Sequence, residues 1–402
     1  MKTELPLAAT LASLLVQLST AAAQSWNVTA APVAEWQGVA LSEDGRNLLA
    51  AQYMSDAQHS PGWLYRSTNS GASWQQASAP RQFWQRVTSS RDGTRLAAAA
   101  YADANWNPGG VYVSSDAGLS WQAAGAPRQN WIGLASSADG TRLFATAWYG
   151  LIHCSTNSGV TWTVGDAPRL YWHGIACSAD GKGLVAAGYA DVSVSPDRLY
   201  VSSDGGAHWT AGSAPAAHWY GVACSGDGTR MFAVASTGSI YSSCDSGLTW
   251  SQGAAPALPW TAITCSADGG RAVAVASGSS PGPVYVSGNG GRDWQPGGAP
   301  TGYWTWVSSS ADGTKLVAVE GGVQPGNVYT LQIPPALLIT STNQRVLVSW
   351  PSSAGDFVLQ QNSELSSPHW LDVTGPITAN GGQDRFWIGT PLGTRFFRLN
   401  QR

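Results

Sequence analysis

Seven tryptophans recur along this chain, and each stands eight residues before an Asp-Gly pair. The spacing from one of them to the next is 41 to 48 residues, so the chain contains seven similar units. A period of this length is typical of a protein built from repeated supersecondary structures that complete their cores against their neighbours. We number the units 1 to 7 by these opening tryptophans: Trp36, Trp84, Trp131, Trp172, Trp219, Trp260 and Trp304.

Each unit is predicted to contain four short β-strands. An apolar run led by the tryptophan is followed by the Asp-Gly turn and a second apolar run, such as Leu143 to Ala147 in unit 3. A loop of variable length, a strand ending near Tyr-x-Ser, a second turn and a strand at another tryptophan complete the unit. Asp-Gly between alternating apolar runs is a strong hairpin signal, because both residues tolerate positive φ. Four strands per unit predict the blades of an all-β, seven-bladed β-propeller.

The two ends of the repeat predict how the propeller closes. In units 1 to 6 a tryptophan in the fourth strand stands ten residues before the next opening tryptophan. Trp26 keeps this spacing before Trp36, whereas unit 7 ends after its third strand near Leu331. We therefore expect the start of the mature chain, from about Gln24, to supply the fourth strand of unit 7, so that the ring has no free edge.

The second turn of the units carries a family resemblance. Residues 114–121, 202–209 and 243–250 share the pattern Ser-x-Asp-x-Gly-x-x-Trp. Residues 67–74, 155–162 and 287–294 match it with Asn at the Asp position. The pattern resembles the Asp-box, or BNR, repeat of the seven-bladed β-propeller family that includes sialidases and sortilin-type receptors.

This resemblance implies that the boxes are structural and lie on the side of the propeller away from the usual ligand site. The turn chemistry agrees, since Asp or Asn caps its own turn, Gly takes a left-handed conformation and Trp packs in the blade. The box residues expected to serve as scaffold are Asn69, Asp116, Asn157, Asp204, Asp245 and Asn289.

Three segments are expected along the chain. Residues 1–23 are predicted to be a secretory signal peptide, with Lys2 before an apolar stretch and small residues up to Ala23, where cleavage is expected. Residues 24–333 hold the propeller. Residues 334–402 leave the repeat after Pro334-Pro335 and resemble a small fibronectin-III-like β module with a sandwich-like core.

Composition limits where the protein is expected to act and which classes of partner it is expected to bind. The apolar run of the signal is too short to span a bilayer and no later run is longer, so we expect a secreted, extracellular or periplasmic protein without a membrane span. Charged residues make up only 11% of the chain and the formal net charge is −3, which excludes the basic stripe of a nucleic-acid-binding protein. The 6 His residues show no metal-ligand spacing and the sequence has no Cys-x-x-Cys, so no metal site is expected. The glycines recur with the turns and do not form a phosphate-binding loop, so no cofactor is expected.

Departures from the repeat point to a candidate binding face, because residues common to every unit are expected to be scaffold. The variable loops and the links between units are expected on the side opposite the turns. Seventeen residues after the opening tryptophan, a position expected to lie opposite it across the hairpin, units 1 to 4 carry an aromatic ring. Three residues before the opening tryptophan, units 2 to 4 carry arginine. The candidate ligand-binding residues are Tyr53, Tyr101, Trp148, Tyr189, Arg81, Arg128 and Arg169.

The same logic assigns two tempting groups to the scaffold. His153 stands where the other units carry Tyr, so it is expected to pack and not to catalyse. Three cysteines lie five residues after an opening tryptophan, where other units carry Ser or Leu, and are expected to be small buried residues. These cysteines are Cys177, Cys224 and Cys265.

Three functions remain open on the sequence alone. The first is a non-catalytic module that binds a glycan or an extracellular protein, since aromatic rings stack on sugar faces and guanidinium groups pair with carboxylate or sulfate. The second is a glycoside hydrolase, other than a standard sialidase, with an acid and base drawn from Asp56, Asp103 and Asp191. The third is an assembly or scaffold factor. Against all three, the loop residues can simply be solvated side chains, with the arginines covering adjacent Trp faces.

Overall fold

The computed structural model of the chain is all-β. Its described residues are 26–55, 60–189, 197–236, 238–322, 324–333, 337–342, 345–351, 357–364, 369–380, 383–388 and 395–401. The expected signal peptide, the joint at Pro334-Pro335 and the candidate residues Asp56 and Asp191 lie outside these ranges. Within them, no helix has the length and apolar character needed to cross a membrane.

The described part of residues 26–333 forms seven four-stranded antiparallel sheets. The first strand of each contains one opening tryptophan, so we call the sheets blades 1 to 7. Blades 1 to 3 comprise β2 (Glu35–Leu41), β3 (Leu48–Met54), β4 (Leu64–Ser67) and β5 (Gln75–Gln76); β6 (Phe83–Ser89), β7 (Leu96–Ala102), β8 (Val111–Ser114) and β9 (Gln122–Ala123); and β10 (Trp131–Ser136), β11 (Leu143–Ala147), β12 (Ile152–Ser155) and β13 (Thr163–Val164).

The remaining blades follow the same order. Blades 4 to 6 comprise β14 (Tyr171–Cys177), β15 (Leu184–Tyr189), β16 (Arg198–Ser202) and β17 (Thr210–Ala211); β18 (Trp219–Cys224), β19 (Met231–Ala235), β20 (Ile240–Ser243) and β21 (Ser251–Gln252); and β22 (Trp260–Cys265), β23 (Ala272–Ser277), β24 (Pro281–Ser287) and β25 (Gln295–Pro296). Blade 7 comprises β26 (Trp304–Ser309), β27 (Lys315–Glu320), β28 (Val328–Gln332) and β1 (Asn27–Val28).

The blades follow one another around an axis, with their first strands innermost. The N-terminal strand β1 pairs with β28, Asn27 opposite Thr330, so the two ends of this region share one sheet. The first strand of each blade contacts the first strand of the next, and β26 of blade 7 contacts β2 of blade 1. The first strands therefore contact one another in a closed cyclic order.

The opening tryptophans fill the interfaces between blades, and each is at most 1% exposed. Trp84 of blade 2, for example, packs against Leu49 and Leu64 of blade 1. Each opening ring also meets an aromatic ring on the third strand of its own blade nearly edge-on. In blade 3 that partner is His153, whose centroid lies 5.1 Å from that of Trp131 at an interplanar angle of 85°, as the packing hypothesis expected.

A β-bulge displaces the expected pairing of the two inner strands. In each described blade the register shifts directly after the opening tryptophan. Trp131 consequently pairs with Ala147, sixteen residues later, and not with Trp148. The prediction that the seventeenth residue lies opposite the tryptophan is therefore wrong, because one strand carries an extra residue that the apolar pattern does not reveal.

The turns and the loops lie at opposite ends of each blade. In blade 2 the backbone N–H of Ala117, in the second turn, donates to the carbonyl of Thr94 beside the Asp-Gly turn, at 2.8 Å. At the other end Gly109, in the loop before the third strand, pairs with Gln129 in the link to blade 3. We call the first end the turn side and the second end the loop side.

The C-terminal region forms two further sheets within its described residues. Their strand orders are β29-β30-β34-β33 and β32-β31-β35. Val348 and Trp350 of one sheet pack with Leu359 and Leu399 of the other in a common core. The strands are β29 (Leu338–Thr342), β30 (Arg345–Pro351), β31 (Phe357–Asn362), β32 (Leu371–Asp372), β33 (Ile377–Asn380), β34 (Gln383–Ile388) and β35 (Phe396–Gln401).

Candidate binding face

Aromatic side chains form a continuous row on the loop side of blades 3 to 5. The rings of Tyr149 and Tyr171 have centroids 4.8 Å apart, and Trp148 meets Tyr171 edge-on at 5.1 Å. Trp148 also contacts His173 at 5.6 Å. His173 stacks on Tyr220 at 4.6 Å with an interplanar angle of 26°. We call Trp148, Tyr149, Tyr171, His173 and Tyr220 the aromatic row.

Strand ends and the bulge of blade 4 position these rings. Trp148 directly follows β11, and Tyr149 turns the chain with a φ of +49°. Tyr171 begins β14, and His173 is the extra residue at its bulge. Trp148, Tyr149 and Tyr220 keep 42%, 53% and 38% of their surface exposed, so the row presents apolar ring area to solvent.

One arginine lies where the inner strands of several blades converge. Arg86, on β6 of blade 2, donates from Nη1 to the carbonyl oxygens of Gln37 and Gln85, each at 2.8 Å. Its guanidinium lies 4.0 Å from the ring centroid of Trp306, which belongs to blade 7. Arg86 also interacts electrostatically with His173 of blade 4 and Tyr220 of blade 5. Its contacts join blades 1, 2 and 7, its electrostatic interactions extend to the first strands of blades 4 and 5, and we call this inner region the axis.

Burial changes the charge states at this axis. It lowers the pKa of Arg86 to about 10, which leaves the guanidinium charged at neutral pH. Burial, followed by the charges of Arg86 and His218, lowers the pKa of His173 to about 4, so this imidazole is neutral. The positive charge beside His173 therefore comes from Arg86, and Arg169 lies beside Tyr149 at the other end of the row.

The three predicted arginines, in the links before blades 2 to 4, bind loops of the preceding blades. Arg81, Arg128 and Arg169 each donate to the carbonyl oxygen of the residue twenty positions earlier, at 3.0, 3.3 and 3.4 Å. Arg81 additionally donates to Ser55 Oγ at 2.6 Å, and its guanidinium lies 5.1 Å from the Trp63 ring. This shared contact supports the loop before the third strand, a structural role that sequence reasoning did not assign to these arginines.

The predicted aromatic residues do not form one surface. Trp148 is part of the aromatic row, whereas Tyr53 lies half-buried against Phe83 in blades 1 and 2, with centroids 5.4 Å apart. Burial, then the neighbouring Tyr101 and Glu35, raises the pKa of Tyr53. Tyr101 is half-buried, and its carbonyl accepts a hydrogen bond from Asn130 at 2.8 Å. Tyr189 ends β15, and its side chain lies outside the description.

Asp103 is the candidate acid that the structure describes. Its carboxylate accepts backbone hydrogen bonds from Asn105 at 2.9 Å and Asn107 at 3.0 Å, and it pairs with Arg128 at 3.3 Å. The Asn105 backbone bond is the largest cause that lowers its pKa, and the Asn107 bonds and Arg128 add to it. A carboxylate held in its charged form by its own loop is poorly suited to donate a proton.

The Asp and Asn side chains of the second turns make their hydrogen bonds within those turns. In blade 2, Ser114 Oγ donates to Asp116 at 2.7 Å, and the backbone N–H of Ser120 donates to the same carboxylate at 2.9 Å. Hydrogen bonds from Ser120, then from Ser114, lower the pKa of Asp116 to about 2. The Asn versions repeat the arrangement, as Asn69 accepts from Ser67 and Ser73. These residues lie on the turn side, away from the aromatic row.

Metal-binding chemistry finds no support in the described residues. They hold no cluster of three or more His, Cys, Asp or Glu side chains that could bind a metal ion. Cys177, Cys224 and Cys265 lie on adjacent inner strands as free thiols, partly buried against the blade cores. Burial raises the pKa of Cys224 to about 12, so its thiol is protonated at neutral pH.

A cleft of about 360 Å³ opens between blades 2 and 3 on the turn side. Its lining includes Arg95, Ser114, Gly140 and Val160, with no aromatic ring and no carboxylate among the lining residues. The cleft therefore lacks the stacking surface of the aromatic row and the acid and base of a hydrolase.

Comparisons with known proteins identify the fold. No protein-family model and no curated protein matches the chain. Among solved structures, the chain is similar to a GH74 xyloglucanase from Xanthomonas campestris, with a TM-score of 0.57 and 14% identity, over 82% of this chain and 59% of the xyloglucanase. It is similar to YCF48 from Cyanidioschyzon merolae, with a TM-score of 0.57 and 11% identity, over 77% of this chain and 99% of that one. A structure of YCF48 bound to D1 peptide matches with a TM-score of 0.55 and 13% identity, over 77% and 96%.

These structures are β-propellers, so the chain is a β-propeller protein. The identities are too low to carry more than the fold from those proteins to this chain. One neighbour is a hydrolase and another binds a peptide, so the choice between catalysis and binding rests on the residues of this chain.

Proposed function

We propose that this protein is an exported, non-catalytic propeller that binds a glycan through the aromatic row. In this proposal the signal peptide of residues 1–23 is removed near Ala23, and the seven blades close into one ring through the N-terminal strand. The Asp-boxes serve as scaffold, and residues 334–402 form a separate fibronectin-III-like module.

The exposed ring surface of the aromatic row is the observation that carries this proposal. Trp148 and Tyr149 are 42% and 53% exposed, yet contacts with Tyr171 hold both rings in place. Rings fixed in this way lose little conformational freedom when a sugar stacks on them, and their apolar faces match the C–H faces of a pyranose. A row across three blades suits an extended chain of sugar units more than a single small molecule.

The chemistry of Asp103 favours binding over hydrolysis. A glycosidase needs a protonated carboxylic acid near the scissile bond, usually one whose pKa is raised by its surroundings. Hydrogen bonds from the loop lower the pKa of Asp103 instead. A hydrolytic role would therefore depend on Asp56 and Asp191, and the test below includes it because a xyloglucanase has a similar fold.

The test is a glycan-array screen of the full mature protein, with a parallel assay for released reducing sugar on the same polysaccharides. We expect binding without release, because the row offers stacking surface and no carboxylic acid. Release that disappears when Asp56, Asp103 and Asp191 are all changed to Asn would establish the hydrolase instead. No binding to any glycan, together with capture of an extracellular protein that is lost in Trp148→Ala, would identify a protein ligand in place of the glycan. A structure of YCF48 bound to D1 peptide shows a similar fold binding a peptide.

A further inference from the structure

The guanidinium of Arg86 is buried without a matching negative charge among the described residues. Arg86 is 7% exposed, and none of the ion pairs of the described chain includes it. Two carbonyl oxygens occupy Nη1, whereas Nε has no hydrogen-bond partner and Nη2 donates to no described residue. Part of a buried cation is thus left unsatisfied, which is costly unless another group satisfies it.

The surroundings of Arg86 hold its charge in a fixed place. The Trp306 ring stacks on the guanidinium at 4.0 Å. Gly38 allows the first strands of blades 1 and 2 to lie close together here, since a Cβ at Gly38 would lie 3.3 Å from Arg86 Cα. In most blades the position two residues after the opening tryptophan is Gly or Ala, and only blades 2 and 7 depart from this with Arg86 and Trp306. The stacked Arg86 and Trp306 side chains are therefore specific to blades 2 and 7 and are not part of the repeated scaffold.

One end of the aromatic row interacts with this charge. His173 and Tyr220, which lie on the first strands of blades 4 and 5, interact electrostatically with Arg86. At this end of the row Arg86 supplies one positive charge, whereas Arg169 lies at the opposite end, beside Tyr149. A singly charged oxyanion balances that charge, whereas a dianion would leave an excess negative charge in a buried place.

We infer that the axial end of the aromatic row is a subsite for one singly charged oxyanion of the glycan, a carboxylate or a sulfate ester, which accepts hydrogen bonds from Arg86. This inference rests on the proposed glycan-binding function. Planar guanidinium groups pair well with such oxyanions, and the stacked Trp306 orients the donor edge before the ligand arrives.

The first test compares three oligosaccharides with the same backbone: neutral, carboxylated and sulfated. Calorimetric titration of the full mature protein should give at least about tenfold tighter binding to one or both anionic forms. Arg86→Gln should abolish this preference and keep the affinity for the neutral form. The matched control is Arg292→Gln, an exposed arginine on the turn side, which should preserve the preference. Neutral and anionic forms that bind wild-type protein equally would overturn the subsite and leave the proposed function standing.

The second test detects anion binding at Arg86 directly in the wild-type protein. In protein labelled with ¹⁵N-arginine, the Nε–Hε resonance of Arg86 is assigned by its loss in Arg86→Lys, and free glucuronate is added with glucose as the control. A saturable shift with glucuronate alone supports the subsite, even if no glycan binds and the proposed function fails. An unchanged resonance at saturating acidic oligosaccharide overturns it. Equal losses of thermal stability in Asp191→Asn and Arg86→Gln, with no effect of glucuronate, would identify Asp191 as an intramolecular ion-pair partner of Arg86. That result would also overturn the subsite.

Discussion

Trp148 and His173 meet edge-on with ring centroids 5.6 Å apart and an interplanar angle of 88°, although they belong to different blades. Trp148 follows the second strand of blade 3, and His173 is the extra residue at the bulge of blade 4. This contact joins an exposed ring on the loop side to the charged axis of the propeller. The proposed binding surface depends on that junction.

Replacement of Trp148 tests the surface most simply. We expect Trp148→Ala to weaken glycan binding about tenfold, because a stacked ring contributes roughly 1 kcal/mol or more beyond its buried area. Its exposed position should keep the change in the free energy of unfolding small. The control is Leu248→Ala, which removes an even more exposed apolar side chain on the turn side. Calorimetric titration of both variants with the same oligosaccharide distinguishes them, and equal affinities would rule out stacking at Trp148.

The arginines of the links are expected to act on stability more than on binding. Arg81→Ala should lower the free energy of unfolding by about 1–2 kcal/mol, because it removes hydrogen bonds to the Pro61 carbonyl and Ser55 and a contact with Trp63. Arg169→Ala, which loses one 3.4 Å hydrogen bond at an exposed position, should cost about 0.5 kcal/mol or less. Urea unfolding measures both. Affinity that falls further in Arg81→Ala than in Trp148→Ala would instead make the arginine a ligand contact.

The repeat made much of the fold predictable. Every blade has the same inter-blade interface and the same two turns, so the tryptophan, Asp-Gly and Ser-x-Asp motifs recur. Trp36 and Trp304 are accordingly both fully buried. The same logic anticipated the pairing of β1 with β28, since unit 7 alone lacks a fourth strand. In the C-terminal region, alternation predicted strands at Val348 and Leu359, which lie in its core, but not β29 or β33.

The binding face was less predictable, because the bulge breaks the alternation on which side-chain direction is judged. Tyr171, His173 and Tyr220 flank the opening tryptophans, a position that strand periodicity alone could not orient. Arg86 left a usable signal, since it replaces the Gly or Ala that most blades carry two residues after the opening tryptophan. The role of Arg81 was missed because its acceptor is a backbone carbonyl, which has no sequence signature.

His153 provides a test of the packing role. His153→Tyr should change the free energy of unfolding by less than about 1 kcal/mol, because the other blades hold Tyr in the same edge-on contact with their opening tryptophan. His153→Ala should lower it by about 2 kcal/mol, since it leaves a cavity beside Trp131. Thermal and urea unfolding provide both values. A tyrosine variant as unstable as the alanine variant would show that the hydrogen bond between His153 and Gln129 matters more than the ring contact.

The buried His173 should make stability depend on pH. Its pKa is about 4 in the folded protein against an ordinary 6.5, so between these values the unfolded chain binds the proton more tightly. The stabilisation is complete above about pH 6.5 and is lost as the pH falls through about 4. The melting temperature should therefore decrease over this window, and less steeply in His173→Phe. His208→Gln, at an exposed histidine whose pKa Asp204 raises, should retain the decrease.

The turn aspartates should act at lower pH. Hydrogen bonds hold the pKa of Asp116, Asp139 and Asp245 at about 2, below the ordinary value of 3.8. Their contribution is present above pH 3.8 and is lost as the pH falls through about 2, so a second decrease in melting temperature should begin near pH 4. Asp245→Asn should reduce this second decrease, because the box of blade 1 already works with an amide at the same position. A melting temperature that is constant from pH 4 to 2 would contradict the prediction.

Hydrogen–deuterium exchange of the full mature protein, with and without the oligosaccharide that binds most tightly, locates the ligand directly. The account predicts slower exchange in peptides that contain Trp148 and Tyr149, Tyr171 to His173, and Tyr220. The peptides of the second turns on the turn side and the C-terminal sheets should remain unchanged. Protection confined to the turn side or to the C-terminal sheets, with none at Trp148 or Tyr171, would contradict the assignment of the aromatic row as the binding face.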